Sequence, residues 1–201
     1  MSKEIVFIVD RSGSMSSISS AMESAMAEVI QNQKKESEED TLITFVRFDD
    51  VYEEVFSEKS ISDIDGFKIS PRNLTALLDA IGKTVNTFER RYNSKSDEMK
   101  PERVLFIIIT DGLENASKEF SRNQIFEIIE KVKRDYNWGF TFIGANQDSI
   151  AEGNSIGVVR GSSLNYEATA KGVRCMAESM SSYVGSYMTN GFASYENKNE
   201  E

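Results

Sequence analysis

The chain has 201 residues, 39% hydrophobic and 10% aromatic, which suits one globular domain with a sizeable core and not a disordered protein. Its 33 acidic against 23 basic residues give a net charge of -10, which argues against a general nucleic-acid binder and against docking on an anionic membrane. The absence of histidine removes the commonest general base, the Ser–His nucleophile pair and the commonest zinc ligand; with Cys175 as the single cysteine, any metal site must be built from oxygens, which suit Mg²⁺, Mn²⁺ or Ca²⁺.

Residues 4–9 are a short apolar run of the kind that forms a strand buried on both faces. A helix is predicted over 17–36 from the spacing of Ile18, Met22, Ala25, Met26, Val29 and Ile30. Strands follow at 41–48 and 51–56, with Asp49-Asp50 as a tight antiparallel turn between them. Residues 57–73 read as a loop, and helical spacing returns from Leu74 to Tyr92. "RVLFIIIT" at 103–110 is the strongest strand and ends at "TDG". A helix at 121–136 has Ser121 as its N-cap and Gln124 to complete a capping box. A strand at 138–145, a short helix at 146–154, a last strand at "SIGVVR" and a long helix at 164–190 complete the pattern. Residues 191–201 read as a disordered polar tail, leaving 1–190 as the domain. Cys175 is expected to be a small buried hydrophobe, and Arg11 and Arg160 to be solvated.

Strands alternating with helices, plus one hairpin, predict an α/β fold: an open, mostly parallel sheet with one antiparallel strand and helices on both faces. Ligands in such folds bind at the carboxyl ends of the strands, near the point where strand order reverses. Two chemically unusual loops sit at such ends, after Val9 and after Thr110.

In "DRSGS", Asp10, Ser12 and Ser14 are spaced by two and would point the same way in an extended loop, with Gly13 permitting a turn. A carboxylate and two hydroxyls make half of an octahedral oxygen shell. The same residues also suit a helix entry, since Ser and Asp are good caps. Asp111 in "TDG" is either a ligand or a simple turn carboxylate beside a left-handed Gly112, and Thr75 is either a ligand or an N-cap.

Taken together, "IVFIVDRSGSM", "LTALLDAI" and "VLFIIITDG" resemble the von Willebrand factor A (vWA) domain, over about residues 3 to 190. The likeness is to the small stand-alone members found in bacteria and phages. It implies a Rossmann-like fold and a metal-ion-dependent adhesion site (MIDAS). In it Asp10, Ser12, Ser14, Thr75 and Asp111 would hold a divalent cation, Mg²⁺ foremost, directly or through water. "SPRNLT" replaces the Gly-rich turn that many members place before the Thr. Asp79 fits the family pattern as support for the first turn of its own helix. Arg11, Glu114 and Asn115 are candidates for a rim that meets a partner.

Two carboxylates would neutralise a divalent cation, and three hydroxyls would add ligands without charge. Mg²⁺ takes about six oxygens at about 2.1 Å, so one position remains for an outside ligand. A partner protein's Asp or Glu carboxylate is the natural occupant, and screening over about 8 Å lets the local cation outweigh the chain's net charge. The expected function is therefore a cytoplasmic, non-enzymatic protein-binding module. A hydrolase acting on a phosphate ester would need a second acid–base group that the "DRS" motif lacks, and no P-loop is present. A third possibility is an assembly protein whose metal only stabilises its loops.

Overall fold

The computed structural model describes residues 2–36, 40–145 and 148–195. β1 (Lys3–Asp10), β2 (Thr41–Phe48), β3 (Tyr52–Ser60), β4 (Arg103–Thr110), β5 (Gly139–Ala145) and β6 (Ser163–Tyr166) form one sheet in the order β3-β2-β1-β4-β5-β6. Each neighbouring pair is parallel except β2–β3, as the hairpin at Asp49-Asp50 requires. The helices are α1 (Ser19–Glu36), α2 (Leu77–Ser94), α3 (Arg122–Tyr136), α4 (Ser149–Ser155) and α5 (Ala170–Asn190).

The two central strands are apolar over Ile5–Val9 and Val104–Ile109 because both faces are covered. Ile5, Phe7 and Val9 of β1, with Leu105, Ile107 and Ile109 of β4, point into a core shared with α1 and α5. Val6, Ile8, Val104, Phe106 and Ile108 point into the opposite core, against α2 and α3. Every one of these side chains is at most 1% exposed, and each such burial stabilises the fold by about 2 kcal/mol. The apolar stripe of α5, Val173, Met176, Met180, Tyr183, Val184 and Tyr187, faces the first core. The capping box of α3 is present, with Ser121 and Gln124 bonding each other's backbone amides. Among the described residues, no helix is long and apolar enough to cross a membrane.

Several local expectations are corrected. The last strand is Ser163–Tyr166, not "SIGVVR". Gly157 takes a left-handed φ of 91°, which interrupts an extended run, while Ile156 and Val158 still bury themselves against the α3 core. α5 starts at Ala170, capped by the Thr169 hydroxyl, and not at 164. α2 starts at Leu77 rather than Leu74, and β3 runs on to Ser60 through two register shifts. Cys175 is exposed. The chain after α5 is not a free tail as far as Tyr195, which is buried, stacks on Tyr183 at 4.4 Å and shares a hydrogen bond with Thr141 Oγ1 at 2.9 Å. Residues 196–201 and the first two of the predicted 146–154 helix lie outside the described residues.

From β1 the chain crosses to β2 on one side, and from β3 it returns to β4 on the other. The strand order therefore reverses between β1 and β4, and the crevice of such a switch point lies outside their carboxyl ends, where the connections leave to opposite faces. Asp10 ends β1 and Asp111 follows β4, so both flank that crevice.

Candidate metal centre

The register pairs Val9 with Ile109, so Asp10 stands beside Thr110. The Asp10 side chain is fully buried. Its Oδ2 accepts from Thr110 Oγ1 at 2.6 Å, and its Oδ1 accepts from the Ser12 amide at 2.6 Å. The chain then enters a 3₁₀ turn at Gly13–Ser17 before α1, and the Ser12 hydroxyl caps neither. Instead Ser12 Oγ meets Ser14 Oγ at 3.0 Å, and Ser14 Oγ donates to Asp111 Oδ1 at 2.6 Å. The helix-entry reading of these serines is thereby set aside. Gly13 does not adopt a positive φ, so the turn does not depend on glycine's left-handed freedom.

Thr75 arrives from a third loop. The Arg72 amide donates to Arg11 O at 2.7 Å, and the Gly13 amide to Asn73 O at 3.1 Å, which sutures the 72–75 segment to the first loop without a Gly-rich turn. Thr75 O accepts from the Asn115 and Ala116 amides, and Asn115 Oδ1 accepts from the Thr75 amide at 3.0 Å. The N-cap of α2 is Ala76, so Thr75 does not cap a helix and its buried side chain faces the crevice. Gly112 marks the common meeting point: a Cβ there would lie 3.4 Å from Thr75 Oγ1 and 3.6 Å from Ser14 Oγ. Its φ is not left-handed and those separations are ordinary van der Waals contact, so the position demands neither glycine's conformational freedom nor its lack of a side chain.

The five oxygen-bearing side chains therefore converge from three loops. Burial pushes the Asp10 carboxyl up to about 6, against the hydrogen bonds from Thr110 and Ser12; burial also raises Asp111, which is half-buried. The negative charge of Asp111 raises Asp10 further. Among the described residues neither carboxylate has a Lys or Arg partner, although 16 other ion-pair contacts are made elsewhere. A buried and a half-buried carboxylate with hydroxyls between them and no Lys or Arg beside them fit a bound divalent cation. No group of three or more acidic, Cys or His side chains is arranged to hold a metal ion among the described residues, so the hydroxyls are needed to complete such a ligand set.

The expected rim is largely corrected. Arg11 is not solvated; it is 2% exposed and turns away from the crevice to pair with Glu53 at 2.5 Å and Asp49 at 3.4 Å. Glu114 is committed to the loop itself. Its Oε1 accepts from the Ala116 and Ser117 amides, and its Oε2 accepts from the Leu78 amide and the Ser117 hydroxyl. Asn115 stays exposed, with its Oδ1 held by Thr75. Two exposed apolar side chains border the crevice instead, Leu74 beside Thr75 and Leu113 beside Gly112.

Asp79 also acts differently from expectation. It supports not its own helix but the loop after Asp111, accepting from the Lys118, Glu119 and Phe120 amides at 2.8–2.9 Å. Thr110, which holds Asp10, was not singled out by sequence; the only available signal is a hydroxyl ending an otherwise apolar strand.

A family model described as the von Willebrand factor type A domain matches residues 4–172. The chain belongs to this family. No curated protein matches the vWA chain. Among solved structures, proximal thread matrix protein 1 from the mussel byssus, with a zinc-occupied MIDAS motif, superposes with a TM-score of 0.67 at 17% identity, over 91% of this chain and 46% of that one. The ArnB paralog VWA2 from Sulfolobus acidocaldarius gives a TM-score of 0.61 at 18% identity, over 90% and 44%. The PilB minor pilin from Streptococcus sanguinis gives 0.59 at 11% identity, over 92% and 61%. At these identities the likeness is one of fold, and the vWA domain spans under two thirds of each of those chains.

Proposed function

We propose that this vWA domain is a metal-dependent protein-binding module. Asp10, Ser12, Ser14, Thr75 and Asp111 hold a divalent cation, Mg²⁺ foremost with Mn²⁺ or Ca²⁺ as alternatives, directly or through water. The observation that carries this reading is the pair of a buried Asp10 and a half-buried Asp111 at the switch point, set among hydroxyls with no cationic side chain paired to either among the described residues. The family membership and the zinc-occupied MIDAS of one structural relative support it.

When bound, the cation supplies an electrophilic position that an outside carboxylate can fill. The chain's own residues prepare that position. Thr110 and the Ser12 amide fix Asp10, so its charge is aimed without rearrangement. Ser14 is exposed while Ser12 and Thr75 are buried, so the open side lies over Ser14 and Asp111. Leu74 and Leu113, 55% and 61% exposed, give the approaching carboxylate an apolar flank. The partner we propose is a protein segment that presents Asp or Glu next to apolar side chains.

A binding role is favoured over hydrolysis by the fate of Glu114. Beside Asp111, which this reading makes a ligand, Glu114 is the other candidate for a general base near the site, and each of its oxygens accepts two hydrogen bonds from the 116–117 loop and the start of α2. The test is calorimetric titration with Mg²⁺, followed by affinity capture with and without EDTA. EDTA-sensitive capture that Asp10→Ala abolishes is the expected result. If Asp10→Ala leaves both cation binding and capture intact, the reading fails. Turnover of a phosphate ester lost with the same substitution would establish the hydrolase instead.

A further inference from the structure

Tyr166 ends β6, is buried, and its hydroxyl has no hydrogen-bond partner among the described residues. Leaving such a group unpaired is unfavourable, and a buried tyrosine hydroxyl ordinarily finds a partner. The sheet register says where this residue stands. Thr110, Gly144 and Asn165 align across β4, β5 and β6, and Asp111, Ala145 and Tyr166 are the next residues of the three chains. Tyr166 therefore stands two strands from Asp111, about 10 Å at a strand spacing of about 4.8 Å.

The residue between them is Ala145, whose side chain lies in the same core as Tyr166. Its methyl group leaves room for the phenol to lie across β5 toward the switch point. The charges that act on the phenol are those of Asp111 and then Asp10; with burial as the largest cause, they raise its pKa far above the ordinary tyrosine value. The hydroxyl is thus a fixed, protonated donor on the β5–β6 side of the carboxylate pair.

We infer that Tyr166 is a positioning residue of the metal centre, its hydroxyl donating to a water bound to the cation on the Asp111 side. The inference rests on the metal-binding reading above. It explains why an unpaired hydroxyl is kept: its partner is supplied only when the cation and its waters are in place. Groups that hold ligands from outside typically contribute about 10–100-fold in metal affinity.

Tyr166→Phe tests this, because the ring is kept and only the oxygen removed. In EDTA the variant melts at the wild-type temperature or above it, since the deletion removes an unsatisfied buried group. With Mg²⁺ the order reverses: calorimetric affinity falls about 10-fold or more and the cation-induced rise in melting temperature shrinks. A tyrosine ultraviolet difference spectrum on adding Mg²⁺ is expected in the wild type and lost in the variant. A residue that only packs would shift both melting temperatures alike. Equal Mg²⁺ affinity in the two chains overturns the inference while leaving the metal site standing. A wild-type chain that takes up none of Mg²⁺, Mn²⁺ or Ca²⁺ overturns both. Should Tyr166→Phe not fold, the wild-type difference spectrum decides alone, and its absence in a cation-binding wild type refutes the role.

Discussion

The Ser14 hydroxyl donates to Asp111 Oδ1 at 2.6 Å, joining two loops 97 residues apart in the chain. The bond places a neutral oxygen against a carboxylate with no counter-ion, so the two loops are drawn together around a place for positive charge. Cation binding is therefore expected to stabilise the folded state. At a concentration 100 times Kd the gain is about 2.7 kcal/mol, which raises the melting temperature of a domain this size by about 5–10 °C. Differential scanning calorimetry in Mg²⁺ against EDTA measures it, and Asp111→Ala abolishes the difference.

Protons compete for the same oxygens. With the Asp10 carboxyl at about 6, cation affinity is near its plateau above pH 7 and weakens about 10-fold per unit once the pH falls below 6. Titrations between pH 5 and 8 would show this break; a flat profile across that range would mean that Asp10 is not a ligand.

Glu4 gives a pH effect remote from the crevice. Burial, opposed by the Thr44 hydroxyl and Arg91, raises its carboxyl from 4.5 to about 6. The folded chain thus binds more protons than the unfolded one between those values, and stability falls as pH rises through them. Ionised Glu4 costs about 2 kcal/mol above pH 6, and this cost is absent below 4.5. Glu4→Gln should flatten that part of the stability-against-pH curve in urea unfolding carried out in EDTA.

Removing Asp79 orphans three backbone amides of the loop that follows Asp111. Asp79→Ala is expected to cost about 3 kcal/mol or more of unfolding free energy. It should also weaken cation binding, although residue 79 is not among the proposed ligands. An Asp79→Ala chain of wild-type stability would show that other groups hold the loop.

Leu74→Ser with Leu113→Ser separates binding the partner from binding the cation. Both side chains are exposed, so stability and Mg²⁺ affinity should stay within about 0.5 kcal/mol of wild type. EDTA-sensitive capture of the partner should drop about 10-fold or more, as loss of central apolar contacts commonly causes. Unchanged capture would place the partner's contacts elsewhere.

The apolar runs at 4–9 and 103–110, the hairpin at Asp49-Asp50 and the capping box of α3 were all legible in the sequence. Each reports on its own neighbourhood: a strand buried on both faces must be apolar at every position, and a cap needs only residues three apart. D-x-S-x-S, Thr75 and Asp111 were legible as one set only through the family resemblance, since each taken alone also suits a cap or a turn. The last strand was misplaced because burial of Ile156 and Val158 looks the same in a turn as in a strand. What side chains do with distant partners was decided only in three dimensions. Arg11 turns to Asp49 and Glu53, Glu114 reaches the amide of Leu78, Asp79 reaches 39–41 residues along the chain, and Tyr195 seats itself on Tyr183. Local spacing fixes which way a residue leaves its element. Which charge or amide it meets depends on how the sheet orders its strands, and that order also set Tyr166 two strands from Asp111 with Ala145 between them.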